Sequence, residues 1–202
     1  MRKWVLCCLL PVIMLLGGCT SLKSPAEEGA YYLFPFENDL EGWVVKGADL
    51  GEPPVTWSIT RSGEVTRGGR SAAIFNLSNT NGQAKIWLER IFPMEPGQRY
   101  RVRVEYDFAS ADWGDVNLWR LVTGVAPGQF HGSDDLVYQG DTGNGLGSAA
   151  GYQWLEKAYD FTVQADAEGK VYAAIGIWGT WEAERRYFLD NVRITFTRDT
   201  AS

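Results

Sequence analysis

The chain is poor in the side chains that build metal cages, disulfide frameworks and nucleophilic centres. It has one histidine, His131, and three cysteines, Cys7, Cys8 and Cys19, all within the first nineteen of 202 residues. Beyond Cys19 neither a disulfide framework nor a Cys/His zinc site can be assembled, so a fold there must draw its stability from buried apolar surface. A basic excess is also missing. Nineteen Lys and Arg stand against 25 Asp and Glu, a net charge of −6. Nucleic-acid binders carry a basic stripe, and no nucleic-acid partner is expected. Long apolar runs are lacking too: the run from Val5 to Leu16 is broken by Pro11 and too short to span a bilayer comfortably. What is present is an ordinary balance, 45% hydrophobic, 13% aromatic and 22% charged, which excludes wholesale disorder and a multi-span membrane protein.

The first residues read as an address. Arg2 and Lys3 precede the apolar run, which ends in Leu16-Gly17-Gly18-Cys19. Those four residues resemble the lipobox of bacterial lipoproteins. The resemblance implies a signal peptide over 1–18, cleavage before Cys19, and acylation of Cys19 by palmitate-like chains. Several acyl chains on one residue suffice for stable anchoring. Thr20-Ser21 lacks the Asp that resembles an inner-membrane retention signal. The expected location is the cell envelope, lipid-anchored, at the outer membrane in a Gram-negative host. Residues 19–30 are polar and read as a tether.

From residue 31 to 198 the texture is all-β. No stretch keeps a helical period with caps. Short alternating runs recur between Gly, Pro, Asn and Asp. Over Tyr100–Phe108, Val102, Val104, Tyr106 and Phe108 share one face, while Arg101, Arg103, Glu105 and Asp107 share the other. Over Lys170–Trp178, Val171, Ala173, Ile175 and Ile177 oppose Tyr172, Ala174, Gly176 and Trp178. Phe188, Asp190, Val192, Ile194 and Phe196 share a core parity near the end of the chain. Weaker strands are expected at 31–37, 43–47, 55–61, 71–77, 84–92, 115–123 and 157–163. About ten strands at this spacing predict an antiparallel β-sandwich, a jelly roll. The Gly-rich stretch Asp134–Gly151 reads as one long loop, at the rim of a site or simply on the surface.

Several landmarks occur in order: Phe36-Glu37, Leu40-Glu41-Gly42-Trp43, Gly68-Gly69-Arg70-Ser71, Pro96-Gly97-Gln98-Arg99-Tyr100 and Tyr187-Phe188-Leu189-Asp190-Asn191-Val192. The series resembles the galactose-binding-like β-sandwiches, in particular the carbohydrate-binding modules of the four, nine and twenty-two type. The resemblance implies two antiparallel sheets, a groove on one of them, and no catalytic machinery. It also implies a structural calcium ion held by Glu37 and Asp190 with carbonyls of Gly69 or Arg70. The parity of Asp190 points the same way, because an inward carboxylate needs a partner or a metal. Pairing with Arg or with backbone N–H groups is the alternative.

Sugars in such modules bind through aromatic platforms with polar side chains around them. Trp43, Trp57, Trp87 and Trp154 are assigned to core or edge packing. Trp178 and Tyr172 lie opposite the core parity of their strand, and Trp119 lies with Asp115 and Asn117, opposite Val116 and Leu118. Trp113 and Trp181 fall in or beside loops. The expected ligand set is Trp178, Trp119, Trp113, Trp181 and Tyr172, with Arg103, Glu105, Asp107 and Asn117 as polar partners on an open groove. Packing of Trp119 and Trp178 under the long loop is the alternative. Glu105 with Asp107, and Glu182 with Glu184, are carboxylate pairs of the kind a glycosidase uses, but such pairs on a solvated strand ordinarily serve solvation. His131 has no nucleophile context. The expected function is non-catalytic glycan binding by an envelope lipoprotein, with a glycan as ligand and the membrane reached through Cys19. The alternative is an envelope protein partner on the same face.

Overall fold

The computed structural model describes residues 29–111, 118–142 and 151–199. Residues 1–18, Cys19, Trp113 and Asn117 lie outside the described residues. Eleven strands follow in chain order: β1 Ala30–Phe34, β2 Val44–Ala48, β3 Thr56–Ser62, β4 Ala72–Asn79, β5 Lys85–Pro93, β6 Arg99–Ser110, β7 Trp119–Ala126, β8 Tyr138–Thr142, β9 Gln153–Gln164, β10 Lys170–Gly179 and β11 Ala183–Arg198. One sheet has the order β3-β4-β11-β6-β9, with β1 also pairing β11; the other has the order β2-β5-β10-β7-β8. All pairings are antiparallel. Of consecutive strands only β3–β4 and β7–β8 pair, and the rest step between sheets. That crossing pattern is a jelly-roll sandwich.

Alternation explains how the sheets close on each other. Val102, Val104, Tyr106 and Phe108 of β6 face Val171, Ala173, Ile175 and Ile177 of β10 across one core with Ile86, Leu88 and Phe92 of β5. Each such side chain contributes about 1.5–3 kcal/mol by leaving water. At one end, rings from β1, β5 and β11 mesh edge to face: Tyr32 and Phe92 lie 4.8 Å apart, Phe34 and Trp43 5.4 Å.

Two sequence expectations fail here for a local reason. The β6–β11 register shifts between Asp190 and Arg193, and Asn191 takes a positive φ of 51°. A bulge of this kind reverses the parity of a strand. Tyr187 and Leu189 face the core before it; Val192, Ile194 and Phe196 face it after. Phe188 therefore packs outside the sheet with Ile74 and Ala109. Asp190 shares that outward parity and is buried there rather than in the core. The stretch 134–151 is also not one loop. It overlaps a short 3-10 turn, Ser133–Asp135, and holds all of β8, while residues 143–150 lie outside the described residues.

Candidate functional site

The sequence-predicted residues do not meet in one place. Trp119 is fully buried in the inter-sheet core, its ring 4.9 Å from Phe108 and 6.1 Å from Tyr187. It cannot line a groove. Its strand starts at Trp119, so the parity carried forward from Asp115 and Asn117 is the wrong one; Leu121 and Thr123 share its inward side and Arg120 faces out. Arg103, Glu105 and Asp107 are on β6, in the six-stranded sheet, whereas Tyr172 and Trp178 are on β10, in the other. The two sets point away from each other on opposite outer faces. Arg103 pairs with Asp160 at 2.9 Å and Glu105 at 3.4 Å. Asp107 is buried, accepting a bond from Asn191 Nδ2 at 2.9 Å with Arg67 Nε 3.7 Å away.

The outer face of the five-stranded sheet can be laid out from its register. One row across the strands reads Ala48, Lys85, Trp178, Arg120. The next reads Lys46, Trp87, Gly176, Val122, Tyr138. Then come Val44, Glu89, Ala174, Gly124, and finally Ile91, Tyr172, Ala126. Small residues occupy the middle, at Gly176, Ala174 and Gly124, and the space above them is not open. The link between β7 and β8 lays Phe130 and Leu136 over Trp87, Val122 and Ala174, burying all five. A Cβ on Gly124 would sit 2.9 Å from Val137 Cγ2 and 3.3 Å from Phe130 Cε1. Only glycine allows so close an approach. The expected open groove is therefore filled at its centre by the protein's own chain.

Glu89 fastens that link from below. Buried itself, it accepts the Phe130 N–H at 3.1 Å, Lys46 Nζ at 2.8 Å and Trp87 Nε1 at 3.5 Å. Lys46 Nζ also donates to the Phe130 carbonyl at 3.3 Å. A buried carboxylate persists only when its lone pairs are taken up this way. Sequence reasoning missed this latch, because Glu89 and Lys46 are 43 positions apart.

An accessible tryptophan region lies at one end of this face. Trp178 is half-buried, with the Tyr138 ring edge-on at 5.4 Å and Lys85 Nζ 5.0 Å from its centroid. Its Nε1 donates to the Gly82 carbonyl at 3.4 Å. Gly82 borders a depression of about 320 Å³ together with Thr180, Trp181 and Glu182, and Trp181 is 56% exposed. Lys85 pairs with Asp49, which also accepts Ser133 Oγ. The Lys85 bond, then the Ser133 bond, hold the Asp49 carboxyl below the usual aspartate range. Tyr172 faces the same way as Trp178, but six residues along β10 places it about 20 Å away, beyond the covered centre.

The carboxylates assigned to calcium, Glu37 and Asp190, are each held by backbone N–H groups. Glu37 accepts the Arg70 N–H through both oxygens, at 2.9 and 3.2 Å. A side chain on Gly69, whose φ is 55°, would collide with Glu37 Oε1. Asp190 accepts the N–H groups of Arg67 at 3.0 Å and Asn191 at 2.8 Å. Burial pushes the Asp190 carboxyl up; those two N–H bonds pull it down; Asp107 and Glu37 push it up again. The donors are all oxygen, as calcium requires. Among the described residues no three His, Cys, Asp or Glu side chains form a ready cage, so an ion there would draw on backbone oxygens as well.

No protein-family profile matches the chain, and no curated protein matches it in sequence. Solved structures do. The K1 cleaved adhesin domain of Lys-gingipain from Porphyromonas gingivalis W83 aligns with a TM-score of 0.50 at 12% identity, over 82% of this chain and 98% of that one. The CBM22-1 xylan-binding domain of Paenibacillus barcinonensis Xyn10C aligns at 0.49 and 12%, over 86% of this chain and 99% of that one. TmCBM61, solved with β-1,4-galactotriose, aligns at 0.41 and 13%, over 82% of this chain and 94% of that one. The fold is the antiparallel β-sandwich, and the adhesin domain shares it.

Proposed function

We propose that this protein is a non-catalytic glycan-binding module, held on the bacterial envelope by an acylated Cys19. The observation that carries the reading is the accessible aromatic end of the five-stranded sheet. Trp181 offers an open indole beside a depression, and half-buried Trp178, backed by Tyr138 and Lys85, bonds the Gly82 carbonyl at its border. An indole covers the C–H face of a pyranose, while nearby polar groups such as Thr180, Glu182 and Arg120 can bond its hydroxyls. Of the two carboxylate pairs weighed for hydrolysis, the β6 pair is otherwise engaged: Glu105 pairs with Arg103, and Asp107 is buried against Asn191. A glycan array probed with the full chain in detergent tests the proposal. We expect retention on at least one glycan, lost in Trp181→Ala with the melting temperature unchanged. No retention on any glycan, or retention indifferent to Trp181→Ala, would contradict it.

A protein partner on the same face is the second reading, favoured by Val44 and Ile91, 57% and 49% exposed at the other end of the sheet. Calcium belongs to the proposal as a staple away from the sugar. Glu37 and Asp190 would hold it, and its charge would offset the crowding of Asp190 by Asp107 and Glu37. A chelator should then lower the melting temperature, since an ion at a hundred times its dissociation constant adds about 2.7 kcal/mol.

A further inference from the structure

Residues 127–137 form a strap over the centre of the five-stranded sheet's outer face. The six-stranded sheet instead keeps apolar side chains bare at the corner where β1 joins it. β1 pairs with β11 alone, and its outward side chains, Tyr31 and Leu33, are 60% and 50% exposed. The register sets arginines and threonines beside them. One row reads Tyr31, Thr195, Arg103, Asp160, and the next Leu33, Arg193, Glu105, Ala158. On the other side of the first row lie Thr197, Arg101 and Thr162. Arg103 is taken up by Asp160 and Glu105. Arg101 and Arg193 form no ion pair among the described residues, on a chain whose net charge is −6.

A tyrosine and a leucine beside unpaired guanidiniums suit the headgroup layer of a bilayer. Tyr settles at that level, the apolar side chain enters it, and Arg meets lipid phosphate. The place of this corner in the chain says which surface it can reach. Tyr31 stands twelve positions after Cys19, a contour of at most about 43 Å. An acylated Cys19 therefore keeps the corner close to the membrane. So short a tether supplies a local concentration of about millimolar, and a weak contact suffices. Trp178 projects from the other sheet, on the opposite outer face. A domain lying on Tyr31 and Leu33 turns that indole away from the lipid.

We propose that the outer face of the six-stranded sheet rests on the bilayer at β1, with Tyr31 and Leu33 in the headgroup layer and Arg101 and Arg193 on lipid phosphates. The inference rests on the anchoring at Cys19 proposed above. The test uses the full acylated chain in vesicles of phosphatidylethanolamine and phosphatidylglycerol. One introduced cysteine carries an environment-sensitive dye: Leu33→Cys in one sample, and His131→Cys, exposed on the strap over the opposite sheet, in another. Lipid bearing a nitroxide near its headgroup should quench the Leu33→Cys dye about threefold more strongly than the His131→Cys dye. Arg101→Gln with Arg193→Gln should cut that ratio by about half. Tyr31→Cys replaces Leu33→Cys if the latter lowers the melting temperature. Equal quenching at the two sites, or a ratio unmoved by the arginine changes, in a chain that floats with the vesicles would overturn the docking and leave the anchor standing. A Leu33→Cys dye shielded from aqueous iodide but untouched by the labelled lipid would also overturn it and assign the face to a second copy of the chain. A chain that does not float would overturn anchor and docking together.

Discussion

Two outer regions, one on each sheet, solve the same problem in opposite ways. On the six-stranded sheet, β6, β9 and β11 present Arg101, Arg103, Asp160, Thr162, Thr195 and Thr197 around an open depression of about 560 Å³. Charged and hydroxylated side chains need no cover, and Arg103 is satisfied by Asp160 and Glu105. On the five-stranded sheet the corresponding positions are Trp87, Val122 and Ala174, which water would penalise, and the chain spends residues 127–137 covering them. Outward residues thus decide whether a sheet stays flat and open or acquires a roof. The roof in turn decides where a ligand can reach an indole. The depression of about 560 Å³ therefore lies on charged and hydroxylated surface, and the candidate site is a smaller one at the rim of the covered face.

Four perturbations sharpen that contrast. Trp119→Ala should have the largest effect, about 3–5 kcal/mol in urea unfolding, because it empties the core between the sheets rather than either face. Phe130→Ala should cost less, about 2–3 kcal/mol, and the loss should concentrate in the strap: hydrogen exchange at 130–137 should accelerate while β6 and β10 stay protected. Uniform acceleration instead would show that the strap is part of the core. Acid should loosen the strap next. Asp49 is held below its ordinary range by Lys85 and then Ser133, with Tyr138 and Asp134 also facing the cluster. A lowered carboxyl value makes the charged form the stabilising one. Its contribution is therefore complete above the unfolded value of about 3.9 and is lost as pH falls through the folded one. Strap protection should hold from neutral pH down to about 4 and drop below it. Asp49→Asn should abolish that step. The smallest effect belongs to Arg103→Ala, which should leave the urea midpoint nearly unmoved, because its ion pairs are solvent-exposed.

Much of the sandwich was legible in the residues. The alternation of β6 and β10 gave their inward faces correctly, since neither strand is interrupted between Tyr100 and Phe108 or between Val171 and Ile177. Phe188 and Asp190 went to the wrong side because nothing in Asp190-Asn191-Val192 announces a bulge except an asparagine able to take positive φ. Trp119 went wrong because parity was extended from residues outside its strand. The site was less legible. Tyr172 and Trp178 share a face as their spacing implies, but periodicity carries no information about what covers a face. Phe130 and Leu136 sit in a segment of Pro, Gly, His and Asp that reads as surface loop, and their burial follows from small residues on other strands, Gly124 and Ala174. Arg103, Glu105 and Asp107 could not be separated from Trp178 without knowing which sheet each strand joins.

The most direct test is a titration of the full chain in detergent with a glycan retained on the array, followed through the indole N–H resonances. The account predicts that Trp181 and Trp178 shift in proportion to bound ligand while Trp43, Trp87 and Trp119 stay in place. Shifts centred on Trp87, or perturbation confined to the Arg101–Arg103 face with every indole unmoved, would contradict it.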